Sequence, residues 1–366
     1  MSLPADLAPE AAAAQLAGFA AASDPSLLLL FASPAGVLGP IASALMPILP
    51  PGCRVAGCST AGELVPQGYS DRSVVAVAFP RAGFAVEMVR LELLGRSQVT
   101  RWMADIRSAA DRLKVRGCGA MFGLVVADGL TRREDVLAAT LDAALPGAPV
   151  IGGFAGNGLQ FAGVEVLADG EVTTDTAVLC LLATDRPVEE LVFAHFSSTG
   201  RRGVVTAADP AGHAIHEINA EPAAAEYARL AGLDPARLTP LEFARHPLLL
   251  RVGRRHHVRS ISGVRADGGL QLLASIEVGT LLTLGRAEDL IEGFAKALAG
   301  LPRPPELVLG FDCILRRLAL EQAGYEKEVA RLHSRYNICG FNTYGELHDG
   351  MHVNQTFVGI AFLGAD

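Results

Sequence analysis

Charged residues are scarce in this 366-residue sequence: they make up 19% of it, against 50% for hydrophobic residues. So apolar a composition excludes an intrinsically disordered chain, because it supplies ample material for a buried core. Asp and Glu outnumber Lys and Arg, 39 to 31, which gives a formal net charge of −8. We therefore expect no nucleic-acid partner, since a general nucleic-acid binder needs a basic surface.

Lysine and arginine are absent before Arg54, so the N-terminus lacks the basic region that opens a secretory signal peptide. The stretch from Pro25 to Cys53 carries no charge and could suggest a membrane span. Prolines and glycines interrupt this stretch, however, and leave no continuous apolar helix of the ~20 residues that a span requires. We predict a soluble, cytoplasmic protein without a membrane partner.

Paired cysteine motifs are also missing. No two cysteines form a Cys-Xaa-Xaa-Cys pair, and several lie in apolar runs, as Cys180 does. This pattern is typical of reduced core thiols in a cytosolic protein, and it excludes covalent attachment of a c-type haem. The sequence also has no P-loop, no HExxH motif and no zinc-spaced cysteine set. The cysteines are Cys53, Cys58, Cys118, Cys180, Cys313 and Cys339.

An internal repeat is what the sequence does contain. Residues 55–79 align without a gap to residues 338–362, and both copies share the pattern Gly-Xaa-Xaa-Thr-Xaa-Gly-Glu-Leu. A fainter third copy begins at Val150 and extends to Leu182. Self-similarity of this kind indicates one supersecondary unit that is used more than once.

The sequence before each copy predicts the fold of the unit. An apolar strand ends at Ser33, Asp128 and Cys313, and a helical pattern follows each strand. The unit therefore reads as strand, helix, short strand, polar loop and buried strand. We predict a mixed α/β (α+β) fold with two related halves built from such units.

The stretch from Glu189 to about Gly285 has a different pattern. Its short apolar segments are separated by turn signals such as Asp267-Gly268-Gly269, which is typical of antiparallel strands. We predict an antiparallel β meander inserted before the last unit. The predicted domains are residues 1–187 and 188–366.

The polar loops of the two clear copies are the first candidate site. Their hydroxyl, amide and carboxylate groups could line a small-molecule pocket at the strand ends. The alternative is that Thr60 and Glu63, with their counterparts Thr343 and Glu346, only fix the turns. The candidate ligand-binding residues are Cys58, Ser59, Thr60, Glu63, Arg316, Phe341, Asn342, Thr343, Tyr344, Glu346 and Asn354.

An enzymatic role would depend on Cys58 as a nucleophile, which requires a lowered thiol pKa. No histidine or aspartate lies in a recognisable triad context around it, and Phe341 takes its place in the second copy. An inert thiol is the better interpretation, so we expect a protein that is not an enzyme.

Histidines are the second set of candidates. His246 is flanked by apolar residues and could be an axial haem ligand, although a hydrogen-bonded structural histidine is the simpler interpretation. His348 and His352 follow the second polar loop. Nearby arginines could pair with carboxylates such as haem propionates, or could protect a solvated strand edge. These arginines are Arg251, Arg254, Arg255 and Arg259.

The loop at residues 57–63 resembles the N-terminal part of FIST sensory domains, and residues 311–316 with the loop at 340–346 resemble the C-terminal part. The resemblance covers nearly the whole chain in the right order. FIST domains are ligand-binding input modules of bacterial signal transduction. The resemblance therefore implies a sensor, and one alternative is a sensor of a small polar ligand such as an amino acid, without haem.

The ending of the chain, residues 340–346 followed by 351–356, is similar to stand-alone FIST proteins that bind haem and sense nitric oxide. This subgroup implies non-covalent haem b held by a histidine, with the other axial position open to nitric oxide. It also implies a separate histidine kinase as partner, and it leaves a homo-oligomer as one option. The motif does not identify the iron ligand; we rank His246 first, followed by His352 and His348.

Overall fold

The computed structural model describes residues 1–93, 98–115, 119–252 and 255–364, so Cys118 and Arg254 lie outside the described residues. The chain forms two compact units. Unit 1 contains Met1–Val192, Ala295–Met351 and the chain from Phe357 onwards. Unit 2 contains Phe193–Phe294 and His352–Thr356. The predicted division after residue 187 stays a prediction.

The first repeat of unit 1 is built around a strand that is buried along its whole length, Pro25–Ala32. A continuous apolar run is typical of a strand covered on both faces. The preceding helix starts with Pro9 in its first turn, where a missing backbone N–H costs nothing. The elements are β1 Ser2–Pro4, α1 Pro9–Ser23, β2 Pro25–Ala32, α2 Leu38–Leu45, β3 Arg54–Ser59, β4 Glu63–Val65, β5 Gly68–Ser70 and β6 Ser73–Pro80, and the next strand, β7 Ala85–Glu92, begins the second repeat.

The second repeat has the same order of elements. Its first helix packs an apolar face that includes Trp102, Ile106 and Leu113, at the spacing of an amphipathic helix. The elements are α3 Val99–Lys114, β8 Ala120–Asp128, α4 Glu134–Ala144, β9 Val150–Ala155, β10 Val166–Ala168, β11 Glu171–Thr173 and β12 Thr176–Thr184.

The insertion follows the second repeat and supplies most of unit 2. Its strands pair antiparallel around a separate core that contains Tyr227 and Phe243. The elements are β13 Val188–Ala194, β14 Phe196–Asp209, β15 Ala214–Ile218, β16 Glu221–Pro222, α5 Ala223–Ala231, α6 Pro240–Arg245, β17 Leu248–Val252, β18 Arg255–Arg259, β19 Ile261–Val264, β20 Leu270–Leu272 and β21 Leu281–Ala287. The predicted antiparallel insertion before the last unit is confirmed.

The third repeat closes unit 1. Its helical pattern is broken near Gly324, whose φ of +75° suits a residue without a side chain, and this gives two helices. The elements are α7 Leu290–Ala299, β22 Pro305–Cys313, α8 Ile314–Gln322, α9 Glu326–Tyr336, β23 Ile338–Thr343, β24 Glu346–His348, β25 Met351–Val353 and β26 Thr356–Leu363.

Each repeat contributes to two sheets. The first sheet has the order β1-β6-β2-β3-β10-β11, the second β25-β24-β9-β8-β12-β7, and the third β13-β26-β22-β23-β4-β5. The first repeat therefore gives β4 and β5 to the third sheet, the third repeat gives β24 and β25 to the second, and the second repeat gives β10 and β11 to the first. This closed exchange confirms the predicted mixed α/β fold of repeated units.

One glycine recurs because two parallel strands approach closely beside it. A Cβ atom on Gly57 would lie 1.8 Å from the carbonyl oxygen of Leu30, and one on Gly340 would lie 1.8 Å from that of Gly310. Gly152 has the same role in the second repeat. The glycine that marks each copy in the sequence is thus a packing requirement of the parallel strand pair.

No helix in the described ranges combines the length and the apolar character needed to cross a bilayer.

We predict that Gly57→Ala lowers the free energy of unfolding by about 2–4 kcal/mol, because the new methyl group must push β2 and β3 apart. Gly18→Ala is the matched control. Gly18 lies in α1 with nothing within 4 Å of its Cβ position, so alanine there should add up to about 1 kcal/mol through helix propensity. Urea denaturation measures both variants, and equal stability of the two would contradict the role given to Gly57.

Candidate functional site

Glu63 connects three segments of unit 1 through its buried carboxylate. Thr60 donates its hydroxyl to Oε1 at 2.5 Å. Ser33, after β2, and Ser73, at the start of β6, donate their hydroxyls to Oε2 at 2.9 and 2.7 Å. All four side chains are buried, so the carboxylate joins its own loop to two neighbouring strands.

Burial also changes the acidity of this group. Removal from water raises the pKa of Glu63 to about 7, although the three hydroxyl donors act in the opposite direction. The carboxyl is therefore partly protonated at neutral pH and can exchange a proton in the physiological range.

The second polar loop repeats this arrangement and lies beside the first. Thr343 donates its hydroxyl to Oε1 of the buried Glu346. The backbone N–H of Ala61 donates to the carbonyl of Asn342 at 2.9 Å, and the N–H of Asn342 donates to Gly62 at 2.7 Å. The loops of the first and third repeats therefore meet, as the hypothesis of a shared site requires. Their Thr and Glu side chains bond to each other, as the turn-fixing alternative requires.

A buried ion pair lies next to the two loops. Arg316 is fully buried at the start of α8, and its Nη1 donates to both carboxylate oxygens of Asp312 at 2.8 Å. The hydroxyl of Tyr69 donates to the same carboxylate at 2.6 Å. Two side chains thus satisfy the charge that Asp312 places in the core.

The remaining loop candidates have structural contacts. The hydroxyl of Ser59 accepts the N–H of Glu165 at 2.8 Å. Phe341 packs against Phe31, with 4.6 Å between the ring centroids. The hydroxyl of Tyr344 accepts the N–H groups of two residues in the loop of the second repeat, Asn157 and Phe161, each at 3.0 Å.

Cys58 is fully buried on β3. Burial raises the pKa of its thiol well above the usual value, and the neighbouring Glu63 adds to this effect. The raised pKa keeps Cys58 in the neutral thiol form, whereas a nucleophilic cysteine must be a thiolate.

In unit 2, His246 follows α6 with its side chain 28% exposed. Its Nδ1 lies 3.3 Å from the carbonyl oxygen of Glu242, one helical turn earlier, and 3.5 Å from the carboxylate of the same residue. The hydroxyl of Tyr227 donates to the carbonyl of His246 at 2.8 Å. A proton on Nδ1 would be donated to Glu242, which directs the lone pair to Nε2.

His352 lies in a buried polar cluster of unit 2. The pKa of His352 is lowered to about 3, mainly by burial and in addition by the charges of Arg259 and His213, so its imidazole is neutral. Nη1 of Arg259 donates to the carbonyl of His352 at 2.9 Å. Asn354 is fully buried, and its Oδ1 has no hydrogen-bond partner within the described part of the chain.

The third histidine candidate, His348, lies in unit 1 at the end of β24, next to Glu190 and Asp349. The structure thus places the three histidines in separate surroundings. Among the arginine candidates, Arg259 is buried beside His352, Arg251 is exposed on β17, and Arg255 belongs to β18.

Two partners of the polar loops were missed by the sequence analysis. Ser33 and Ser73 gave no signal, because a serine at a strand end does not reveal which carboxylate it will contact. The contact between Asp312 and Arg316 was missed as well, because Asp312 lies on β22 and Arg316 on α8, so the spacing rule for pairs within one helix does not apply.

The model of the FIST N domain matches residues 26–221, more than half of the chain, and the model of the FIST C domain matches residues 223–349. The chain belongs to the FIST family. The resemblance found in the sequence is thereby confirmed, and with it the expectation of a FIST sensor with a role in signal transduction.

Two solved structures are similar to this FIST protein over almost its whole length. One is a cyanuric acid hydrolase from A. caulinodans: it is 10% identical, the match covers 100% of this chain and 98% of that chain, and the TM-score is 0.38. The other is also a cyanuric acid hydrolase, at 9% identity, with coverage of 99% and 98% and a TM-score of 0.36. Similarity this low transfers no activity to the FIST protein. No curated protein sequence matches it significantly.

The raised pKa of Glu63 gives a testable pH dependence. The folded carboxyl keeps its proton up to about pH 7, whereas the unfolded one loses it near its ordinary pKa of 4.5. The folded state therefore binds more protons between these values, and the free energy of unfolding falls as the pH rises through this window. Glu63→Gln should remove this loss, which is on the order of 3 kcal/mol.

Urea denaturation at pH 5, 6, 7 and 8 measures the effect as the difference between the variant and the parent protein. We expect Glu63→Gln to gain relative stability as the pH rises to about 7, with little change above it. Glu10→Gln, at an exposed position in α1, is the control and should show a constant difference. A pH-independent difference for Glu63→Gln would contradict burial as the cause.

Proposed function

We propose that this FIST protein is a signal-transduction sensor that binds haem b through His246, senses nitric oxide with it, and regulates a separate histidine kinase. Family membership supports the sensory role. The haem assignment is carried by one observation, the orientation of the His246 ring by Glu242. The kinase partner follows from the similarity to stand-alone haem-binding FIST proteins.

The residues around His246 suit a histidine that binds the iron atom of haem. A histidine that binds iron through Nε2 usually donates its Nδ1 proton to a carbonyl or carboxylate, and Glu242 offers both. Leu248 and Leu249 are buried next to it in the chain, and Arg251 is exposed on the same strand, where it can pair with a carboxylate. When bound, haem would supply an iron atom that can bind nitric oxide.

The signal itself requires two states of the protein. Nitric oxide can change kinase regulation only if it binds one of these states better than the other. The contacts between Glu242 and His246 are the place where a change at the iron would reach α6, because Glu242 lies in the first turn of this helix and His246 directly follows its last residue.

We predict that purified protein takes up about one equivalent of haemin, shows a sharp Soret band, and shifts this band when it is reduced and exposed to nitric oxide. His246→Ala should abolish the band, and added imidazole should restore it by replacing the lost ligand. His216→Ala is the control, because His216 is half-exposed and its ring lies 3.3 Å from the carboxylate of Asp267. The measurement is a haemin titration followed by absorption spectroscopy.

A broad, weak band that is the same in the parent protein and in His246→Ala would show adventitious haem and overturn the assignment. Loss of the band in His352→Ala, with His246→Ala unaffected, would transfer the iron ligand to His352.

A second candidate function is a FIST sensor of a small polar ligand such as an amino acid, without haem. It is favoured by Asn354, whose Oδ1 is buried without a hydrogen-bond partner in the described chain. An unsatisfied buried acceptor costs about 1–3 kcal/mol, which a ligand with an N–H group could recover. Arg259, close to His352, could hold the carboxylate of the same ligand.

For this candidate we expect one of the 20 amino acids to raise the melting temperature of the haem-free protein. A ligand present at 100 times its dissociation constant adds about 2.7 kcal/mol to the free energy of unfolding. Asn354→Ala should lose the shift, while Gln15→Ala, at an exposed position in α1, should keep it. No shift with any amino acid, or an equal shift in both variants, would contradict a ligand at Asn354.

A further inference from the structure

A histidine between two carboxylates lies in unit 1, two residues after Glu346 of the second polar loop. His348 ends β24, Asp349 follows it in the turn to β25, and Glu190 lies on β13. Nε2 of His348 is 3.4 Å from Oε2 of Glu190, and its Nδ1 is 3.4 Å from Oδ2 of Asp349. One potential ligand atom from each of the three residues lies within 4.8 Å of those from the other two.

His348 adds an observation that points to a ligand. The residue is 1% exposed, and its buried Nδ1 has no hydrogen-bond partner in the described chain. A buried imidazole nitrogen without a partner is costly, since both ring nitrogens normally make a hydrogen bond or bind a metal. The carboxylate of Asp349 lies near this nitrogen without the geometry of a hydrogen bond.

The turn places these groups beside a small cavity. Asp349 and Gly350 have φ values of +50° and +67°, as a two-residue Asp-Gly hairpin turn requires. The cavity has a volume of about 50 Å³ and is lined by Asp142, Glu190 and Asp349 among others. This is more than a single water molecule needs, so an ion with a bound water fits the space.

We propose that Glu190, His348 and Asp349 form a binding site for a divalent transition-metal ion, with Zn²⁺ as the best fit. One imidazole nitrogen and two carboxylate oxygens suit Zn²⁺, whereas Ca²⁺ and Mg²⁺ favour oxygen ligands alone. Zinc bonds of ~2.1 Å in a tetrahedron place neighbouring ligand atoms ~3.4 Å apart. The distance from Nδ1 of His348 to Oδ2 of Asp349 equals this value, and Glu190 belongs to the group whose potential ligand atoms lie within 4.8 Å of one another.

The fourth ligand would be a water molecule in the cavity, where Asp142 can accept its hydrogen bond. The metal would link β13 of the third sheet to the β24–β25 hairpin of the second sheet. The site includes His348, the third-ranked haem candidate, but neither His246 nor Asn354, so its test is independent of both candidate functions proposed above.

The experiment uses full-length, tag-free, haem-free protein that has been treated with a chelator and dialysed. Titration with Co²⁺ should produce the visible absorption bands of a four-coordinate ion at one equivalent, and Zn²⁺ should displace them. Glu190→Gln and Asp349→Asn remove one carboxylate each, and asparagine tolerates the positive φ of position 349. Circular dichroism checks that both variants fold, and isothermal titration gives their affinity for Zn²⁺.

We expect the Zn²⁺ affinity to fall roughly tenfold to a hundredfold in each variant, at least as much as for loss of a residue that only orients a ligand. His216→Ala is the matched control: His216 and Asp267 form a histidine–carboxylate pair at 3.3 Å without a third ligand in the described chain, and the variant should bind as the parent does. Absence of Co²⁺ bands in the parent, or equal Zn²⁺ affinity in all variants, would overturn the proposal and leave His348 as part of an ion pair.

Discussion

The pairing of strand edges is the constraint on which unit 1 depends. The parallel pairs β2–β3, β8–β9 and β22–β23 would each leave one strand with unpaired backbone groups, and a hairpin from another repeat covers that edge in every case. Unpaired edges are costly when buried and prone to aggregation when exposed. Two features support this exchange of hairpins: the close approach of the strands at Gly57 and Gly340, and the polar loops. Together they determine where β3 and β23 end and where the donated hairpins begin.

The two buried glutamates stabilise the loops at a cost. A carboxyl group in the core is tolerated only with hydrogen-bond donors around it, and Glu63 has three hydroxyl donors from three segments. The raised pKa of Glu63 shows that these donors do not fully replace water. A polar loop of this kind is compatible with both ideas considered for it, a rigid turn and the wall of a ligand site.

Those features that are formed by residues of a single repeat could be predicted from the sequence. The Gly-Xaa-Xaa-Thr-Xaa-Gly-Glu-Leu pattern revealed the repeat because both copies have the same physical requirements. The close approach of the parallel strands requires glycine at position 57 and at its counterpart, and the hydrogen bonds of the loop require a carboxylate at position 63 and at its counterpart. The sequence could not reveal the exchange of hairpins, since strands as short as β4 and β24 carry no information about their partners. The same holds for Glu190 and His348, which are far apart in the chain and meet only in the folded protein.

The exchange of hairpins also determines when this chain can fold during synthesis. The β4–β5 hairpin leaves the ribosome before the second repeat and the insertion are made, and its partner β23 follows both, so its strands wait for these segments before they are paired. Such long-range pairing folds slowly and keeps strand edges exposed in the meantime. A chain that stops before β23 would therefore leave the outer edge of the β4–β5 hairpin unpaired.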